Sequence, residues 1–175
     1  MQQVNFFDPQ WHADNTDSVL FFIYDRGGIG DLAQLSIDAK EQPTSVNVHN
    51  PSEKTVLFLP VDHNIDIRKD GSNDLDSTCD YLLTVDGKDL IVFGEIKTGR
   101  KGWAGDGMRQ IKHTIYIFRA NHDLSEWKQC RAYVSNYRYW RSRSSTRCVE
   151  ETFKADTGGL RLYIQNDVNL DGEQR

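Results

Sequence analysis

The sequence predicts a mixed α/β domain, on three observations. Apolar runs of strand length recur between turn-rich segments, as in Thr55–Ile67, Cys79–Val85 and Leu90–Lys97. Helical spacing then sets in over about Gly107–Ala120. A strand, a helix and a strand follow, so the order is strand, strand, strand, helix, strand, helix, strand. The chain has 175 residues, 38 % apolar and 27 % charged, with 4 Trp, 7 Tyr and 8 Phe. That is enough apolar surface for one sizeable core and too aromatic for a disordered chain.

In chain order, Asn5–Asp17 is polar and aromatic without a period. Ser18–Tyr24 reads as a buried strand or a short core helix, which periodicity does not arbitrate. Gly27-Gly28-Ile29-Gly30 breaks it as a turn; it is neither a full GxGxxG nor followed by the Lys-Ser/Thr of a phosphate loop. Leu32, Leu35 and Ala39 share a stripe that predicts a short helix over Asp31–Lys40. Gln42–Pro51 reads as a loop around a brief strand at Ser45–Val48. Thr55–Ile67 is a strong strand pattern, and Lys69–Ser77 is turn-rich. Asp86-Gly87-Lys88-Asp89 joins the next two strands as a hairpin. After the glycine-rich loop Thr98–Gly105, Asp106 is positioned to cap the helix, whose Met108, Ile111, Ile115 and Phe118 form the apolar stripe. Cys130–Ser135 reads as a strand, Ser145–Ala155 as a helix and Leu160–Ile164 as a final strand. The expected organisation is one domain over 1–165, with its core at about 55–165 and an N-terminal elaboration at 1–54. Residues 166–175 are expected to form a flexible tail.

The composition excludes several classes. No apolar run approaches the roughly 18 residues of a membrane span. The start lacks a basic stretch followed by an apolar one, which argues against a secretory signal. Cys79, Cys130 and Cys148 are odd in number with no CxxC spacing, which argues against a disulfide framework or zinc knuckle and suits a reducing cytoplasm. Asp70–Asp76 lacks the glycine and glutamate of a calcium loop, and there is no Gly-x-Ser-x-Gly elbow. Cys79 is expected to pack in the core, and His63, after Asp62, to be a structural histidine. The net charge of −5 is uneven: residues 97–147 carry 12 Lys and Arg against 3 Asp and Glu, the rest 9 against 23. Such a basic third can attract a polyanion or pair with the acids elsewhere.

The hairpin carries the chemistry. Whether its loop has two residues or four, facing pairs sum to 175, and Asp80 faces Glu95. Directly opposed residues share a sheet face with Cβ atoms about 4.5–5.5 Å apart. Lys97, two residues beyond Glu95, is on that face too. Two such carboxylates repel, which raises one pKa unless a cation intervenes. Hard oxygen ligands suit Mg²⁺ or Mn²⁺, and a neighbouring ammonium can steady an attacking water or a phosphate's charge. The alternative is a salt bridge of Lys97 with Glu95 or Asp80, which leaves one acid unmatched.

Asp80, the fourteen residues after it, and Glu95-Ile96-Lys97 resemble the motif of the PD-(D/E)xK nuclease superfamily, the restriction-endonuclease-like fold. The preceding Val61-Asp62 and the following helix with Gln110-Ile111 and Thr114-Ile115 are similar to small prokaryotic members. The resemblance covers roughly Thr55–Phe118. It implies a mixed central sheet flanked by helices, metal at Asp80 and Glu95 with the Ile96 carbonyl as a further ligand, Lys97 assisting a water, and Gln110 supporting the site. Cys79 stands where the family name places proline, and Gly94 where an apolar residue is usual. Asp38 and Glu41 are candidates for the acid that many members carry on a first helix.

A nucleic-acid path is expected alongside. Arg100, Lys101 and Trp103 belong to the loop, with Trp103 at the site's edge, and Arg109, Lys112 and Arg119 form a basic helix face. The helix N-terminus favours a phosphate. Arg138, Arg141 and Arg143 interleave with Tyr137, Tyr139 and Trp140, a pattern suited to phosphates and unpaired bases or to rings packed inward. The expected function is Mg²⁺- or Mn²⁺-dependent phosphodiester hydrolysis of nucleic acid, with DNA as substrate. The alternatives are a catalytically idle interaction or inhibitor protein on the same scaffold, and a ribonuclease. The expected partners are nucleic acid and a homodimer or larger complex, with no membrane.

Overall fold

The computed structural model describes residues 2–28, 30–139 and 146–171. Its strands are β1 (Asp14–Thr16), β2 (Leu20–Tyr24), β3 (Gln34–Ser36), β4 (Val46–His49), β5 (Val56–Pro60), β6 (Tyr81–Val85) and β7 (Leu90–Ile96). Helix α1 (Trp103–Asn121), β8 (Gln129–Ser135), α2 (Thr146–Asp156), β9 (Arg161–Ile164) and β10 (Asp167–Asn169) complete it. The protein is mixed α/β.

One sheet has the order β1-β5-β6-β7-β8-β9. Its pairs are antiparallel as far as β7, and β7, β8 and β9 are parallel. Parallel neighbours need crossovers, which α1 and α2 supply. All seven residues of β7 are buried, because both faces of this strand are covered. On one face Ile111, Ile115 and Phe118 of α1 and Phe153 of α2 pack with Leu82, Ile91, Phe93 and Val134. On the other, Tyr81, Leu83, Val92 and Tyr133 pack with Phe21, Ile23, Val46 and Val48 of a second sheet, ordered β10-β4-β2-β3. Helices therefore flank the central sheet on one face, and a small sheet takes the other. Among the described residues, no helix is long and apolar enough to cross a membrane.

The hairpin register holds. Tyr81 faces Gly94 and Val85 faces Leu90, so the loop is the four residues Asp86–Asp89. Asp86 and Gly87 both have positive φ (45° and 72°), which a flexible glycine and a small polar residue tolerate. Gly94 is required by contact: a Cβ there would stand 1.9 Å from the Tyr81 ring.

Five expectations are corrected. Asp31–Lys40 is not helical: Ala33 is buried and Leu35 packs on the core, and Gln34–Ser36 pairs with β2. A three-residue apolar stripe cannot offset helix nucleation when an open strand edge is on offer. The 3₁₀ turn Ala39–Thr44 follows, capped by Asp38. The strand expected over Thr55–Ile67 ends at Pro60, and the chain turns away after Val61, whose carbonyl accepts from Asn64 N (3.2 Å) and Ile65 N (3.1 Å). Helix α1 begins at Trp103 after Gly102 (φ 67°), so Asp106 lies in its first turn instead of capping it. Trp103 is buried in the helix-side core, where indole burial draws the helix start inward, and is not at a site edge. Residues 167–169 are a strand parallel to β4, with Val168 and Leu170 buried, where a flexible tail was expected.

The N-terminal segment is likewise part of the main core. Val4 and Phe6 are buried against α1, and their N–H groups donate to Asn121 Oδ1 (2.8 Å) and His122 Nε2 (3.1 Å).

Candidate active site

Asp80 and Glu95 meet at the open end of the hairpin, on the α1 face of the central sheet. Glu95 Oε2 accepts from Asp80 N (3.2 Å), and Asp80 Oδ2 accepts from Ile96 N (2.6 Å). The structure thus places the Ile96 amide on Asp80. Lys97 Nζ lies 2.5 Å from Glu95 Oε1 and also donates to Gln110 Oε1. All three charged groups converge, and Gln110 joins them.

Helix α1 holds the approach to β6. Gln110 Nε2 donates to Thr78 O (3.1 Å), and Thr114 Oγ1 accepts from Cys79 N (2.7 Å) while donating to Gln110 O (2.9 Å). Val61 N donates to Asp80 O (2.8 Å), so β5 fixes the same residue from its other side. Gly107 lets the helix pass close: a Cβ there would stand 2.6 Å from Val134 Cγ1 and 3.2 Å from Glu95 Cγ. Gln110 is the support expected from the sequence; the bonds of Thr114 and Val61 and the close pass at Gly107 are not legible there. A Thr four residues after a site glutamine gives no local signal of its partner.

The electrostatics follow from burial. Asp80 is 7 % exposed and Glu95 1 %. Burial pushes the Asp80 carboxyl up to about 7, opposed by the Ile96 N–H. Burial and then the Asp80 charge push Glu95 well above its ordinary range, opposed by Lys97. Asp62 and Asp25 add further negative charge felt at Asp80, and burial raises the Asp62 carboxyl too. Neither was a candidate from sequence. Asp62 sits one residue past Val61, and Asp25 follows β2 of the other sheet, a placement no linear pattern signals. His63 has a positive φ of 59°, with its Nε2 3.6 Å from Asp62 Oδ2. The Cys79 thiol is fully buried and raised by that burial and by Glu95, which disfavours its thiolate.

The pair fits a divalent cation by donor chemistry: four hard carboxylate oxygens, mutual repulsion, and one ammonium for two acids. Among the described residues no hydrogen bond reaches Asp80 Oδ1. No set of three or more His, Cys, Asp or Glu side chains is gathered there as metal ligands. Asp80 and Glu95 are thus the side chains on offer.

The remaining expected residues divide. Arg100 and Lys101 are exposed on the bend before α1. Asn136, fully buried, donates to Gly99 O (2.9 Å) and accepts from Arg138 N (3.1 Å) and Tyr139 N (3.0 Å). That one side chain brings the loop of Arg100 and Lys101 together with the turn of Arg138. Arg109 pairs with Asp106, and Lys112 with Asp156 (2.7 Å). Arg141 and Arg143 lie outside the described residues, with Trp140. Asp38 and Glu41 do not serve as the missing acid: Asp38 pairs with Lys40, and Glu41 with Arg26, in the loops of the small sheet.

No protein-family model, curated protein or solved structure gives a significant match to this chain.

Proposed function

We propose that this protein is a metal-dependent phosphodiesterase acting on nucleic acid, with DNA as its substrate and a PD-(D/E)xK-type site. One observation carries the reading. Two buried acids and a lysine, spaced as the motif requires, converge on one sheet face beside a helix that supplies a supporting glutamine. A mixed sheet with a helix crossing from β7 to β8 is a scaffold that such a site can use.

Asp80, Glu95 and the Ile96 carbonyl would hold Mg²⁺ or Mn²⁺, which supplies a more acidic water and a polarised phosphoryl oxygen. Lys97, as an ammonium, would orient the attacking water and steady the charge on the phosphate. As the water oxygen bonds to phosphorus its proton passes to solvent, and the P–O bond to the leaving group breaks with the leaving oxygen protonated from solvent. Gln110 keeps the ammonium aimed at the acids and ties it to Thr78.

A second reading, a catalytically idle interaction protein, draws on Lys97 being shared between Glu95 and Gln110, which together take two of its three N–H donors. Digestion of single- and double-stranded DNA and of RNA with Mg²⁺ or Mn²⁺ tests the proposal. Cleavage lost in Asp80→Ala, Glu95→Ala and Lys97→Ala, with folding retained, supports it. Cleavage retained in all three ends it. Degradation of RNA alone assigns a ribonuclease. Absence of Mn²⁺ binding at millimolar levels by calorimetry favours the idle scaffold.

A further inference from the structure

Away from the acidic pair, α1 turns a second face to solvent, built by its own periodicity. Arg109, Lys112, His113, Tyr116 and Arg119 recur at helical spacing, off the stripe of Met108, Ile111 and Phe118. Two clefts of about 430 Å³ and about 520 Å³ lie along this face and share Arg109 and His113. The first reaches Gln110, whose amide oxygen holds Lys97. The second passes Tyr116 and ends at Asp156 and Thr157 beside α2. A groove therefore runs from the candidate site along the helix.

Its chemistry is specific. Tyr116 is 60 % exposed, the most exposed aromatic among the large hydrophobics of the described residues, and is offered to solvent between cations. Those cations are held in place. Arg109 pairs with Asp106, Lys112 with Asp156 (2.7 Å), and Arg119 donates to Thr157 O (2.9 Å); His113 Nε2 sits 2.6 Å from Asp76 Oδ2. Exposed ion pairs contribute little, so a phosphate can replace a carboxylate at modest cost. The three carboxylates leave the groove close to neutral, whereas duplex DNA is held chiefly by uncompensated positive charge along its backbone. Cations that can exchange a carboxylate for a phosphate, set around an open ring, suit a single strand, whose backbone follows the positive charge while its unpaired bases stack on the ring whatever their sequence.

We propose that this groove binds a single-stranded polynucleotide, one base stacked on Tyr116 and its backbone led past Lys112 and Arg109 to the site. The direction of travel rests on the nuclease reading; the binding does not. Tyr116 stands six residues from Gln110, about 9 Å along the axis. At a stacked spacing of about 3.4 Å, that is on the order of three nucleotides.

The test is fluorescence anisotropy on the wild-type chain in EDTA, so that nothing is cut. The probes are a short labelled oligothymidylate, the matching oligouridylate, an abasic strand of equal length and a duplex. A single strand is expected to bind roughly tenfold or more tighter than the abasic strand and the duplex. Either thymidylate or uridylate in front supports the groove and names the sugar. Tyr116→Ala is expected to weaken binding roughly tenfold or more, and Tyr116→Trp to preserve it. Equal binding of the abasic strand or duplex, no measurable single-strand binding, or Tyr116→Ala within twofold of wild type overturns the proposal. Cleavage measured separately with Mn²⁺ keeps the two readings apart. Strand binding without cleavage supports the groove and removes the enzyme; cleavage whose KM ignores Tyr116→Ala removes the groove and keeps the enzyme.

Discussion

Gly107→Ala sets local helix propensity against tertiary packing, and the two predict opposite signs. Glycine inside a helix is worse than alanine by about 1 kcal/mol, so propensity alone makes the change stabilising. In the fold, the new Cβ would meet Val134 Cγ1 at 2.6 Å and Cγ2 at 3.1 Å, and Glu95 Cγ at 3.2 Å. Carbon contacts are comfortable at about 3.5–4.0 Å. Val134 and Glu95 are both buried on central strands, so neither can swing aside. Relief requires the helix to lift from the sheet or these side chains to leave their rotamers. Overpacking of this kind costs about 1–3 kcal/mol. With the helix gain set against it, the net loss is about 0–2 kcal/mol, or a Tm lower by up to roughly 8 °C in a domain of this size. Because the pressure falls on Glu95, cleavage should fall as well. Gly105→Ala is the control, since a Cβ there meets only Arg109 Nη1 at 4.0 Å. It should be neutral or stabilising by up to about 1 kcal/mol. Thermal and urea unfolding by circular dichroism measure both. Equal stabilisation by the two alanines would refute the close approach of α1 to Glu95.

Asp80→Asn should raise the stability of the metal-free protein while abolishing cleavage, because it removes one of two repelling buried charges; a lower Tm would contradict the repulsion. The pH dependence has a defined sign. Asp80 keeps its proton in the folded chain up to about 7, whereas the unfolded chain releases it near 4. The folded state therefore binds more protons across that window, and this group's contribution falls as pH rises through it. The stability gap between Asp80→Asn and wild type should open from about pH 4 to 7 and narrow when Mn²⁺ is added; a gap constant with pH would oppose the assignment. Gln110→Ala strips bonds from Thr78 O and Lys97, so about 1–3 kcal/mol of stability should be lost, and kcat should fall with the motif residues intact. Val168→Ala should cost about 2 kcal/mol by denaturant titration, as β10 is part of the fold; an unchanged midpoint would return this segment to a tail.

The site was legible where its logic is local. A strand pair joined by Asp86–Asp89 has one register whichever loop closes it, so the meeting of Asp80 and Glu95 could be read from numbering alone. The same holds for Lys97, two residues along a period of two. Trp103 was misplaced because surrounding glycines suggest an edge, whereas the indole packs with the helix-side core. The stripe at Leu32, Leu35 and Ala39 misled because, although its spacing is helical, three apolar residues are too few to sustain a helix, and the free edge of β2 took Gln34–Ser36 as a strand.

By itself the sequence determined the strand pairing at the heart of the molecule, the helix that crosses from it, and which charged groups share a face. All of these follow from backbone periodicities that act over a few residues. Tertiary structure alone decided that a second sheet covers the far face, that Asp25 and Asp62 press their charge on Asp80, and that residues 167–169 complete that sheet. Such contacts join segments far apart in the chain. They are chosen by which apolar surfaces and unpaired edges remain to be covered once the core has formed, and no local pattern records that choice.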